Sequence, residues 1–160
     1  MSLVKKDDAG IVAEKSSKSL ATQKTMTFVT FYMGDFLFGI PAEQIMEINK
    51  DIEITPVPLA EDYILGIMNL RGQIVTVMDL AKKVKLHTEI VPKINLIIKN
   101  EGEAPVSFVV EQVGEILEIP VAKLEKPPEK IEGISREYIK HVYQLPEKLV
   151  LILDVEKILT

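Results

Sequence analysis

Proton transfer near neutral pH calls first for histidine, and this chain of 160 residues has two, His87 and His141. They lie in different halves of the sequence, and neither stands near a nucleophile motif. His87 falls in the polar stretch 85–89, the setting of a solvated loop residue. Ser107 and Ser135 lack the neighbours that activate a serine. The paired acids Glu61-Asp62 read as the start of a turn or a helix. There is no cysteine, so disulfides and thiolate metal sites are excluded and a reducing cytosol is the natural compartment. The sequence has no HExxH pair, no calcium-loop pattern and no glycine-rich loop ahead of a helix. No catalytic residue, metal or cofactor is therefore expected. The enzymatic alternative is a convergent site assembled from scattered residues.

Binding chemistry is better represented. Arg71 lies in GIMNLRGQIVTVMDL (66–80), beside Leu70 and just ahead of Gly72, where two apolar runs meet. Such a junction needs only a turn, and Gly72 can supply the positive φ. An arginine fork is favoured at protein interfaces and pairs well with carboxylates; the plainer reading is a turn charge in solvent. Glu47 sits between Met46 and Ile48, and an extended segment puts Ile45 on the same face as Glu47. That makes an acid beside an aliphatic residue, or simply a solvated glutamate in an alternating strand. The stretch IEITPV (52–57) sets apolar residues next to prolines, as an exposed loop, an edge or a lid over a barrel does.

The elements that must position these residues are mostly β. TFVTFYM (27–33), the turn Gly34-Asp35 and residues 36–40 read as a hairpin. Residues 44–49 read as a strand or bridging segment, and TPVP (55–58) cannot be interior strand because each proline removes a ladder donor. Residues 65–70 and 73–78 form a second hairpin. DLAKKV (79–84) reads as a short helix capped by Asp79. Strands are expected at 94–99, 105–111 and 115–119, a late hairpin at 142–145 and 148–153, and a capped helix at 154–159. Many short strands separated by turns point to barrels or a sandwich.

The chain also repeats itself. YILGIMNLRGQIVTVMDLAKKV (63–84) aligns without a gap on YIKHVYQLPEKLVLILDVEKIL (138–159). Tyr63, Ile64, Leu70, Val75, Asp79 and Lys82 match Tyr138, Ile139, Leu145, Val150, Asp154 and Lys157. Upstream, EQIMEI (43–48) echoes EQVGEI (111–116). Two similar β units of about 60 residues each are inferred. The second unit does not keep the junction: Gly66, Asn69, Arg71 and Gly72 become His141, Gln144, Pro146 and Glu147. Either the first unit uses its junction for something specific, or the two hairpins merely differ in their turns.

Composition bounds the partners. Hydrophobic residues make up 47%, enough for a substantial core, and the net charge of -5 with no basic stripe argues against nucleic acid. No segment is long and apolar enough to span or insert into a membrane, and no signal-peptide core opens the chain. Residues 1–24 read as a mobile tail, with a short docked helix at 11–20 as the alternative.

Several motifs together carry a family resemblance: FLFGIPAEQIMEI (36–48), ITPVP (54–58), YILGIMNLRGQIVTVMDL (63–80) and LVLILDVEKIL (149–159). From about Thr25 onward the chain resembles the CheW family of chemotaxis coupling proteins. The resemblance implies a mainly β fold of two intertwined SH3-like five-stranded β-barrels with short helices, in accord with the duplication. The first barrel is expected roughly at 40–90, the second at 25–39 and 91–160. It implies a cytoplasmic adaptor, not an enzyme, that joins the cytoplasmic tips of methyl-accepting chemoreceptors to the regulatory domain of the histidine kinase CheA at membrane-associated arrays. The CheW-like domain of a CheV protein looks similar, and a small β-barrel that binds nucleic acid is the alternative from another class.

Residue by residue, the resemblance implies a receptor surface at Ile45, Glu47, Asn69, Leu70 and Arg71, joined by Val106 and Val113 from the second barrel. A receptor helix would lie there with its apolar face in a groove between barrels. It implies a kinase surface at Ile52, Ile54 and Val57, with Gly66 beside it.

Overall fold

The computed structural model describes residues 23–50 and 53–160. Of the expected tail, all but Gln23 and Lys24 lies outside the described residues. The strands run in chain order as β1 (Thr25–Met33), β2 (Phe36–Pro41), β3 (Ile45–Asn49), β4 (Ile64–Leu70), β5 (Gln73–Asp79), β6 (Ile94–Ile98), β7 (Val106–Val110), β8 (Gln112–Pro120), β9 (Ile139–Gln144) and β10 (Leu149–Leu153). Helix α1 (Leu80–Lys83) follows β5 and helix α2 (Val155–Leu159) follows β10. Each helix starts where an aspartate stops a strand: Asp79 and Asp154 accept through Oδ1 from the backbone N–H of Lys82 and Lys157.

Two five-stranded sheets result, ordered β3-β6-β7-β5-β4 in the first barrel and β8-β1-β2-β10-β9 in the second. The sheets divide the chain differently from the expected boundaries. The hairpin β6–β7 belongs to the first barrel, with β6 antiparallel to β3 and β7 parallel to β5. The chain changes barrel after β2 and changes back after β7. Each barrel thus takes two strands from one repeat and three from the other, and a contiguous cut through the sequence cannot separate them. This crossing is what intertwines the barrels.

The repeat is visible strand by strand. Matching β3, β6, β7, β5 and β4 to β8, β1, β2, β10 and β9 reproduces every pairing, including the parallel pairs β5–β7 and β10–β2. Isolated bridges recur at Thr55–Ile67 and Glu125–Val142. The N–H of Asp79 donates to the Tyr63 carbonyl and that of Asp154 to the Tyr138 carbonyl. The two equivalent tyrosines share one cation: Lys83 Nζ lies 4.3 Å from the Tyr63 ring centre and 5.4 Å from that of Tyr138.

Three apolar clusters hold the fold. Phe28, Leu37, Ile119, Val150 and Ile152 fill the second barrel, and Met68, Val75, Val77, Ile97 and Val109 fill the first. The largest lies between them, joining Phe31, Phe38 and Ile40 of one barrel to Leu96, Ile98 and Phe108 of the other. β6 and β7 are buried on both faces for this reason, which explains their nearly continuous apolar sequences.

Candidate receptor groove and kinase loop

The β4–β5 turn answers the question its sequence raises. Arg71 and Gly72 occupy its two central positions with φ of +53° and +84°. That is the twist a two-residue hairpin needs, and Gly72 meets it without strain. Asn69 Oδ1 accepts from the Gly72 N–H at 2.9 Å and fixes the turn. Arginine, by contrast, is a poor left-handed residue. Its guanidinium lies 2.8 Å from Glu47 Oε1, with the arginine side chain 78% exposed and the glutamate 22%. β3 and β4 are the opposite edges of the first sheet. The ion pair therefore closes the seam of the barrel across strands that share no ladder.

Glu47 reaches the seam because β3 is bulged. Ile45 pairs with Ile98 but Glu47 pairs with Ile97, the next residue along β6. Ile45 and Glu47 consequently point to opposite faces, not the shared face expected from alternation. Ile45 turns to the cluster between the barrels, beside Ile98, and Glu47 shares its face with Ile97 of the first-barrel core.

Val106 and Val113, like Ile45, are half-buried and pack against the cluster between barrels. Ile45 and Val106 share a row, since both pair with Ile98, so Val106 belongs to the first barrel and not to the second as expected: β7 completes the sheet of β3 and β6. Val113 comes from the other barrel, paired with Phe31. Leu70 does not join them: it packs half-buried on the first-barrel core, leaving Asn69 and Arg71 exposed around it. Two apolar residues at these edges escaped the sequence reading. Ile48 pairs with Leu96, on the same face as Ile45, and is exposed. Its repeat equivalent Ile116 is also exposed, on the face of Val113. The signal was present, because both copies of the Glu-Gln segment end in this isoleucine.

The loop between β3 and β4 is tied down at its middle. Thr55 and Ile67 exchange N–H···O bonds of 2.8 and 2.9 Å. Gly66 is buried beneath this crossing with φ +150°, and a Cβ there would lie 2.2 Å from the Thr55 carbonyl oxygen. Gly66 thus positions the loop and offers no surface of its own. Ile54 packs half-buried on the first-barrel core, Val57 is half-buried, and Ile52 lies outside the described residues.

The second barrel solves its turn otherwise. Lys148 Nζ lies 2.8 Å from Tyr32 Oη and 5.0 Å from the ring centre. The hydrogen bond with Tyr32, ahead of nearby Glu147 and Glu115, holds the ammonium pKa above its ordinary value. Among the described residues no group of three or more His, Asp or Glu is placed to hold a metal, and no helix is long and apolar enough to cross a membrane.

A CheW-like domain model matches residues 27–160, nearly all of the described chain. The chain belongs to the CheW-like domain family. Among its relatives, the chemotaxis protein CheW of Treponema pallidum is 27% identical over 81% of this chain and 79% of its own. That of Helicobacter pylori is 28% identical over 92% and 89%. The crystal structure of the scaffolding protein TtCheW from Thermoanaerobacter tengcongensis superposes with a TM-score of 0.73 at 26% identity, covering 81% of this chain and 89% of that one. These matches place the CheW-like chain among chemotaxis scaffold proteins, in accord with its two intertwined barrels.

Proposed function

We propose that this chain is a cytoplasmic adaptor that couples chemoreceptors to the regulatory domain of the kinase CheA within membrane-associated arrays. The observation that supports this most is the rim between the barrels. Ile45, Val106 and Val113 come from both barrels and are half-buried on one shared cluster, with exposed Ile48 beside Ile45. An amphipathic receptor helix would bury apolar residues on such a rim. At the seam of the first barrel, the Arg71–Glu47 pair keeps an exposed guanidinium for a receptor carboxylate. The loop carrying Ile54 and Val57, bridged to β4 through Thr55 and Ile67, would meet the kinase.

The test is an NMR titration of the labelled chain with two partners separately: a receptor-tip helical hairpin and the CheA regulatory domain from the same organism. The adaptor reading expects shifts around Ile45, Glu47, Arg71, Val106 and Val113 with the first, and around residues 52–59 with the second. Absence of shifts with both at high concentration would overturn it.

A further inference from the structure

The β3–β4 loop carries a side chain that the described fold does not use. Leu59 is fully exposed and has φ +60°. Both features are unfavourable: positive φ crowds Cβ against the following carbonyl, and a bare leucine in water gains no burial. Three non-glycine residues among the described ones have positive φ. Arg71 holds Glu47, and Lys85 follows helix α1, where helices commonly end in this conformation. Leu59 has no comparable role among the described residues. Pro58 before it and positive φ at Leu59 make the pattern of a type II turn, whose third position suits glycine or asparagine.

The second unit shows that the fold does not ask for leucine here. Counted from the bridging residues Thr55 and Glu125, Pro58-Leu59 corresponds to Pro128-Glu129. Glu129 is exposed and is not among the positive-φ residues. The first unit's loop is also preorganised. The Thr55–Ile67 bonds clamp it, Ile54 anchors it in the barrel, and Pro56 and Pro58 fix φ on the way to Leu59. An apolar residue held out in this way loses little entropy on binding. Around it the loop is acidic: Glu53, Glu61 and Asp62 are exposed, and residues 53–62 contain no lysine or arginine.

We propose that Leu59 is the anchor of this loop, inserting into an apolar pocket rimmed by lysine or arginine on the kinase's regulatory domain. The inference rests on the reading above that the loop faces the kinase. It assigns the main contact to a residue that offers the fold nothing and is held there against backbone preference.

Calorimetric titration of the full chain with the regulatory domain tests this, using wild type, Leu59→Gly and Leu59→Asp. The expected result for Leu59→Gly is affinity lower by about tenfold or more, with Tm equal to or above that of wild type. Leu59→Asp should bind more weakly still, and wild-type affinity should fall as salt is raised, because the acidic rim meets a basic one. If wild type binds and both variants bind within about twofold of it, the anchor is overturned while the kinase reading stands. A marked fall in Tm for Leu59→Gly would also overturn it, by showing that the leucine serves the fold. If wild type itself does not bind, the kinase reading falls and the anchor with it.

Discussion

Replacing Arg71 by alanine and by asparagine separates the two things the structure says about it. Both variants lose the 2.8 Å pair with Glu47. That pair is mostly exposed on the arginine side, so its loss should cost about 0.2–1 kcal/mol. The backbone term distinguishes the variants. At φ +53° alanine keeps the left-handed strain, about 1 kcal/mol or more, whereas asparagine adopts this conformation readily. Arg71→Ala should therefore be less stable than wild type by about 0.5 kcal/mol, a fall of about 1–2 °C in Tm. Arg71→Asn should be as stable as wild type or slightly more so. Urea denaturation of both, with Glu47→Gln and the double variants completing a cycle, provides the measurement. A coupling energy above about 2 kcal/mol would refute the reasoning, because the pair would then be a structural clamp on the barrel seam. Equal stability of the alanine and asparagine variants would refute the backbone part. On the adaptor reading, all Arg71 variants should weaken receptor-hairpin binding while leaving the kinase domain's affinity unchanged.

Gly66→Ala should be far more damaging than Gly72→Ala. A Cβ at Gly66 meets the Thr55 carbonyl at 2.2 Å, threatening both Thr55–Ile67 bonds, whereas nothing lies within 4 Å of one at Gly72. Thermal melts should show losses of about 3 kcal/mol and about 1 kcal/mol respectively. Asp79→Ala removes a cap on a helix buried at Leu80 and Ala81, and chemical denaturation should register a loss of about 1 kcal/mol. The Lys148 contribution has a definite sign. Its pKa is raised by the Tyr32 hydrogen bond, so its stabilisation is complete below the ordinary value of 10.5 and is lost as pH rises through the higher folded value. Stability measured from neutral pH into this alkaline range should fall more steeply for wild type than for Lys148→Met. Identical slopes would show that the contact does not persist in solution.

Much of this protein is determined by local sequence. The strands at 27–33, 36–40, 65–70 and 73–78 follow from β-branched and aromatic runs separated by turn residues, and both capped helices follow from an aspartate at the end of a strand. The duplication is legible because equal folds keep equal apolar positions, and the structure repeats the same pairings in both barrels. Arg71 stood out as dispensable for the fold because the other copy lacks it. The tertiary structure alone decided the rest. No local pattern says that β6 and β7 complete the first barrel, because an apolar run buried on both faces fits either sheet equally well. Nor does alternation reveal the bulge between Ile45 and Glu47, which arises from the register of β3 against β6 and sends the two side chains to opposite faces. The Arg71–Glu47 contact depends on that register and on the curl that brings β3 and β4 together. Leu59 reads in sequence as one more apolar loop residue, and only its fixed φ and full exposure distinguish it. Short-range propensity fixes where strands begin and end; which strands meet, and which side chains are left facing water, is set by contacts between residues far apart in the chain.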